Sequence, residues 1–311
     1  MRVAVSGVGA VGAYFGWRLI QSGEEVVFIA RGETLQALQS TGLRVDTPDG
    51  ASVVEQVQAY GDPAQAGHVD AVILGVKTWQ VRDAAEAMKP LIGPETFVVP
   101  LQNGVEAPDQ LASVLGQDHV FGGLCYMVCK KVGPGHIRHE GMEPRILFGE
   151  LDNRPSDRGQ KLLDAFLRSG LKAEMPADIH AAMWEKFLFI AGLSGVAAVS
   201  RALVGVLRSI PETLGLLEEV LKEIVGVARA RGINLREDAL AATLRVIDGL
   251  PVAATTSMQR DIMDNRPSEL AAHNGAVVRM AKELGLLAPL NGAIYAALLP
   301  QELRARGEVS F

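Results

Sequence analysis

The clearest chemistry lies in Arg2-Val3-Ala4-Val5-Ser6-Gly7-Val8-Gly9-Ala10-Val11-Gly12. A short apolar run of strand type leads into Gly-x-Gly-x-x-Gly, and an apolar helical stretch, Ala13 to Ile20, follows. In that setting Gly7 makes the tight turn, Gly9 lets the backbone approach a pyrophosphate, and Gly12 lets helix and strand pack closely. The phosphates then rest on free N–H groups at the positive end of the helix. Gly7, Val8, Gly9, Ala10, Val11 and Gly12 are therefore read as a dinucleotide cradle. Three glycines alone also occur in ordinary loops; the strand before them and the helix after them favour the nucleotide.

A second signal stands at the end of the next strand, Glu25 to Ala30, where Arg31 and Gly32 follow. NAD-binding chains usually carry an Asp or Glu there for the ribose 2′-hydroxyl. A carboxylate repels a 2′-phosphate, whereas a guanidinium pairs with it through charge-assisted hydrogen bonds. Arg31 thus points to NADPH/NADP as the cofactor.

Other candidates stand at strand ends, where open α/β sheets bind ligands. Lys77-Thr78-Trp79-Gln80 follows one apolar run and Gln102-Asn103-Gly104-Val105 another. Lys77 can reach an anionic group, and the Asn103 amide can donate and accept; alone, they also read as a solvated lysine and an Asn-Gly turn. Further on, Lys186 has Ala182, Met183, Phe189 and Ile190 one helical turn away, all apolar. Such a lysine either snorkels to the surface or is desolvated, and desolvation makes it a competent proton donor near neutral pH. Glu269 lies in Arg266-Pro267-Ser268-Glu269-Leu270, where the spacing predicts the first turn of a helix. There a carboxylate has a structural use against the helix dipole, with Ser268 or a neighbour as cap.

The elements that must position these groups divide at Pro176. Before it, β-branched runs alternate with helical patterns, the signature of a doubly wound parallel sheet. Strands are expected at 2–6, 25–30, 71–76, 96–100, 120–126, 136–139, 145–148 and 171–175, with a hairpin over 43–60 inserted in the sheet and a helix over 156–169. Beyond it, Ala- and Leu-rich segments predict helices over 177–202, 211–231, 236–247, 267–284 and 290–304. The expected fold class is α/β: an N-terminal Rossmann-type domain (1–176) followed by an all-α C-terminal domain (177–311) for substrate and dimerisation.

Composition narrows the partners. The chain has 311 residues, 48% of them hydrophobic, and a net charge of −6, with no basic run; nucleic acid is not an expected partner. No signal peptide precedes the first strand, and no segment reads as a membrane span. Cys125 and Cys129 would share a strand face too far apart for a disulfide, and no zinc site is complete, with His136 and His139 read as surface loop residues. The expectation is a reduced, cytoplasmic protein without metal.

Taken in order, these motifs resemble the ketopantoate reductase family (2-dehydropantoate 2-reductases). The likeness rests on Gly7 to Gly12, Arg31, Lys77-Thr78-Trp79-Gln80, Asn103-Gly104, Trp184-Glu185-Lys186, Thr256-Ser257-Met258, and Ser268-Glu269 with Asn274-Gly275 behind it. The resemblance implies NADPH-dependent reduction of ketopantoate to pantoate, a step of pantothenate biosynthesis; the long Ala- and Leu-rich helices suggest a homodimer. It makes Lys186 the proton donor and Glu269 its catalytic companion. It gives cofactor contacts to the glycine loop, Arg31, Lys77 and Asn103, and substrate contacts to Asn103, Lys186, Ser194, Ser257 and Glu269. The chain departs from the family pattern at Ile190, Ser194 and Val204, which stand where asparagines are expected. An apolar Ile190 cannot hydrogen-bond a 2-oxo acid, which leaves the particular acid open. A related β-hydroxyacid dehydrogenase or imine reductase, and a non-catalytic NADPH-binding protein, are the alternatives.

Overall fold

In β1 (Arg2–Ser6), Val3 and Val5 pack into one apolar cluster and Ala4 into another, as the period of two in a strand requires. This alternation is what a sheet covered on both faces demands. The computed structural model describes residues 1–310. It divides into two units: one is Met1–Gln102 with Ala107–Ile179, and the other is Asn103–Glu106 with the chain from His180 onward.

In the first unit, β1 leads through α1 (Ala10–Gln21), β2 (Glu25–Ile29) and α2 (Gly32–Thr41) to β3 (Leu43–Thr47), β4 (Gly50–Val54) and β5 (Gln58–Tyr60). Then come β6 (Val69–Leu74), α3 (Val81–Met88), β7 (Ile92–Pro100) and α4 (Ala107–Leu115). The unit closes with β8 (Phe121–Gly133), β9 (His136–Glu150), α5 (Asp157–Arg168) and β10 (Lys172–Glu174). Five parallel strands form the main sheet in the order β5-β2-β1-β6-β7. One of its faces buries Val3, Phe28, Ile73 and Phe97 with Phe15 of α1 and Phe166 of α5. The other buries Ala4, Val27, Val72 and Val98 with Ala85 of α3 and Leu111 of α4.

A second sheet runs β10-β9-β3-β4, with β8 paired antiparallel to β9. The expected hairpin over 43–60 is therefore corrected: β3 and β4 belong to this second sheet, and only β5 joins the first. The two short strands expected over 136–148 are one long strand, β9, whose early residues pair with β3 and late residues with β10. His136 and His139 consequently lie in a strand and not in a surface loop. His136 Nε2 lies 2.8 Å from Asp46 Oδ2 of β3, and the ring of buried His139 lies tilted against that of Tyr14, with 5.4 Å between centroids. Cys125 and Cys129 are free thiols on β8, separated by a register shift. Burial pushes the Cys129 thiol up to about 12.

The second unit is helical. It contains α6 (Ile179–Ser200, from His180), α7 (Val204–Ser209), α8 (Pro211–Ala230), α9 (Ala239–Asp248), α10 (Ser257–Met263), α11 (Asn274–Glu283) and α12 (Pro289–Ala305). Its core gathers Phe187, Leu188 and Ala191 of α6 with Leu217, Leu221 and Ile224 of α8. Helix α6 is apolar on most faces because much of it is buried in this core. It is long and apolar enough to cross a membrane by length and composition, although Glu185 and Lys186 interrupt it, and most of that stretch is buried inside the protein.

Two further differences bear on function. Helix α10, unanticipated as a helix, starts at Ser257 behind a Thr256 cap: Gln259 N–H donates to Thr256 Oγ1 at 3.2 Å, and Thr256 N–H donates to Gln259 Oε1 at 3.3 Å. The helix expected from Pro267 begins instead at Asn274. Ser268 and Glu269 lie in the turns before it, so Glu269 is not a first-turn residue compensating a helix dipole.

Candidate active site

The glycine loop is built around close contacts that leave one position open. Gly7 has φ +90°, and a Cβ there would lie 2.5 Å from the backbone nitrogen of Val76. A Cβ on Gly12 would lie 2.2 Å from the Gly7 oxygen, so helix α1 rests against the turn itself. Gly9, by contrast, would meet nothing nearer than the Gly75 oxygen at 3.9 Å. Gly9 caps α1 with extended backbone, and the first turn of that helix carries no acidic side chain. The N–H groups at the start of α1 therefore face room for an anion with no competing carboxylate in that turn. Val8 is buried, while Ala10 and Val11 are half-buried.

Around this loop the ends of the neighbouring strands are tied together. Gly75 and Val76, which follow β6, back the Gly7 turn. Gln102, buried just after β7, donates its Nε2 to the carbonyls of Leu74 at 2.9 Å and Val76 at 3.0 Å. Sequence reasoning treated Gln102 only as part of a motif; a polar side chain amid apolar strand residues was the available signal. Lys77 is exposed, with its Nζ 5.8 Å from the Trp79 ring centroid, and Gln80 Oε1 accepts the Lys77 N–H at 3.2 Å. Arg31 is exposed where β2 passes into α2. Glu33, in the first turn of α2, is the next acidic residue along the chain.

The second unit holds the remaining candidates. Asn103 belongs to it, and Asn103 Nδ2 donates to Glu269 Oε2 at 3.1 Å. Glu269 is buried, with its carbonyl accepting the N–H groups of Ala272 at 3.0 Å and His273 at 2.9 Å. Lys186 is only 7% exposed on α6. At spacings of four along this helix follow Ile190, half-buried, and Ser194, buried, so the three share one face. Ser257 is exposed at the first position of α10, and Val204 is buried at the start of α7. The structure thus joins Asn103 to Glu269 and ties the glycine loop to the ends of β6 and β7. Among the described residues no group of three or more His, Cys, Asp or Glu side chains could hold a metal ion.

The sequence pattern of the family described as ketopantoate reductase PanE/ApbA matches residues 3–153, and that of its C-terminal part matches residues 178–302. The chain belongs to the ketopantoate reductase family. An uncharacterized oxidoreductase of Bacillus subtilis, YkpB, is 29% identical over 301 residues, covering 96% of this chain and 98% of its own. A 2-dehydropantoate 2-reductase of a Nostoc species is 29% identical, covering 94% of this chain and 93% of its own. The crystal structure of a PanE/ApbA family ketopantoate reductase from Ralstonia eutropha superposes with a TM-score of 0.89 at 32% identity, over 98% of this chain and all of the other. As a ketopantoate reductase family member the chain is an oxidoreductase, and the reaction class is reduction of a 2-oxo acid. Within this family fold, Ile190 places a branched hydrocarbon one turn from Lys186.

Proposed function

We propose that the protein reduces the carbonyl of a small 2-oxo acid with NADPH, and that ketopantoate, giving pantoate, is the substrate. The observation that carries this reading is the Asn103–Glu269 hydrogen bond, which unites two polar groups of the proposed site in the unit that also buries Lys186. The glycine loop fits a dinucleotide, because Gly9 leaves space where Gly7 and Gly12 leave none. Residues 7–12 would hold the pyrophosphate, Arg31 the 2′-phosphate, and Lys77 and Asn103 the remaining polar groups. NADPH, when bound, supplies the hydride that adds to the carbonyl carbon. Lys186 donates a hydrogen bond to the carbonyl oxygen from its ammonium, then gives up that proton as negative charge develops there. Glu269 occupies one N–H of the Asn103 amide, which leaves that amide's second N–H and its oxygen for ligand groups. The Ser194 and Ser257 hydroxyls are assigned to the polar groups of the acid.

One observation favours a second reading that keeps the chemistry and changes the acid. Ile190, half-buried on the Lys186 face, suits a 2-oxo acid with an apolar side chain better than one bearing a hydroxyl. The proposal includes a cytoplasmic homodimer; free cysteines and the exposed Leu203, Val206 and Ile210 around α7 support it. The test is a steady-state assay of NADPH and NADH oxidation with ketopantoate and with 2-oxo acids of apolar side chain. Consumption of NADPH with at least one acid is expected. Failure with every acid rejects the reading.

A further inference from the structure

We infer that Glu302, on the C-terminal helix α12, is a positioning residue that aims Glu269 through Ser268. The inference rests on the reading of Glu269 as a group of the substrate site. Glu302 is a carboxylate only 3% exposed. Its Oε2 accepts the Ser268 N–H at 2.9 Å and the Ser268 Oγ–H at 2.5 Å, and its Oε1 accepts from Arg306 Nε at 2.7 Å. Arg306, which caps the C-terminal end of α12, also donates to the Ser268 carbonyl at 3.3 Å. The last turn of α12 and its capping residue therefore grip the N–H, the hydroxyl and the carbonyl of the residue immediately before Glu269.

The grip extends past Glu269 as well. Ser268 Oγ accepts the Leu270 N–H at 3.3 Å, so the amides on both sides of Glu269 are held by this arrangement. Residues 267–273 lie outside any helix or strand; backbone bonds to the Glu269 and Leu270 carbonyls hold the later part of this segment, and Glu302 and Arg306 hold its start. Glu302, 33 positions beyond Glu269, thus holds Ser268, the neighbour of the residue whose carboxylate reaches Asn103. A partly buried ion pair such as Glu302–Arg306 is a weak source of net stability, because desolvation offsets much of the attraction. Its clear effect here is geometric, and misplacement of a polar group by about 1 Å can cost on the order of a hundredfold in rate.

The test is a double-mutant cycle on the full chain, using NADPH and whichever of ketopantoate, 2-oxoisovalerate or phenylglyoxylate turns over fastest, with a crystal structure of Glu302→Gln. Glu302→Gln should lower kcat/KM for the acid about tenfold and leave the KM for NADPH within about twofold of wild type. On a Glu269→Gln background the same substitution should change kcat/KM by less than about twofold, because its effect passes through Glu269. In the crystal structure the Asn103–Glu269 hydrogen bond should be lost. Multiplying effects in the double variant, or an intact Asn103–Glu269 contact in Glu302→Gln, overturn the inference. If Glu302→Gln does not fold, Ser268→Ala, which keeps the backbone amide, takes its place in the cycle with an expected loss of about threefold and the same non-additivity. Wild-type kinetics in Glu269→Gln itself would instead remove the reading on which this inference stands, and the inference with it.

Discussion

Asn103 and Glu269, 166 positions apart, are joined by a hydrogen bond of 3.1 Å from the amide nitrogen to a carboxylate oxygen. Both residues belong to the helical unit, which includes the short segment Asn103–Glu106 that follows β7. A carboxylate facing an amide fixes which way the amide points: nitrogen toward Glu269, oxygen away from it. In the proposed mechanism that fixed amide serves cofactor and substrate.

Replacing Glu269 by Gln should release the Asn103 amide, since a neutral acceptor holds it less firmly than a charged one. Hydrogen bonds to charged groups are worth about 1.5–3 kcal/mol, so kcat/KM for the acid should fall about 10- to 100-fold. Steady-state kinetics with thermal melting in parallel separate this loss from unfolding.

Arg31→Ala should weaken NADPH and spare NADH. Loss of a guanidinium–phosphate pair is expected to raise the KM for NADPH about tenfold or more, while the KM for NADH changes less than about twofold. Titration of both cofactors against the variant measures the difference. Equal losses for both would remove the 2′-phosphate assignment and turn attention to Glu33 as a ribose ligand.

Ile190→Asn should shift preference among acids. An amide one turn from Lys186 can bond a side-chain hydroxyl, and one matched buried hydrogen bond is worth about 1 kcal/mol or more. The ratio of kcat/KM for ketopantoate over 2-oxoisovalerate should therefore rise about fivefold or more. An unchanged ratio would place Ile190 away from the acid's side chain.

Much of this was legible from local pattern. The glycine loop reads from sequence because its strand, turn and helix are contiguous, and Gly7 and Gly12 act on atoms within a few residues or at an adjacent strand end. Pro211 and Pro289 start α8 and α12, and Gly232 and Gly285 follow α8 and α11 with φ of +76° and +68°, as their chemistry dictates. What escaped was non-local. Pro267 looked like a helix start, yet the Ser268 amide is bonded to the distant Glu302 and α11 begins only at Asn274. The hairpin over 43–54 could not declare its sheet, because its partner β9 lies about ninety residues on and pairs Val45 with Ile137. The Asn103–Glu269 pair has no local signature at all.

Acid should weaken the β3–β9 junction. Asp46 is held down to about 2, chiefly by its hydrogen bond with His136 and then by Arg44, against an ordinary value of 3.8. A carboxyl depressed in the folded state contributes stability above its unfolded value, and that contribution is lost as pH falls from about 4 through about 2. Asp46→Asn should therefore be less stable than wild type at pH 6, with the gap closing toward pH 2. Urea unfolding at both pH values measures it; a gap that widens in acid would contradict the assignment.

The most direct measurement is the turnover of Lys186→Ala beside wild type, with NADPH binding followed in the same samples. General-acid catalysis by a positioned group contributes about 10²–10⁴-fold, so kcat with the best 2-oxo acid should fall by that factor while NADPH affinity stays within about twofold. Near wild-type turnover in Lys186→Ala would contradict the account.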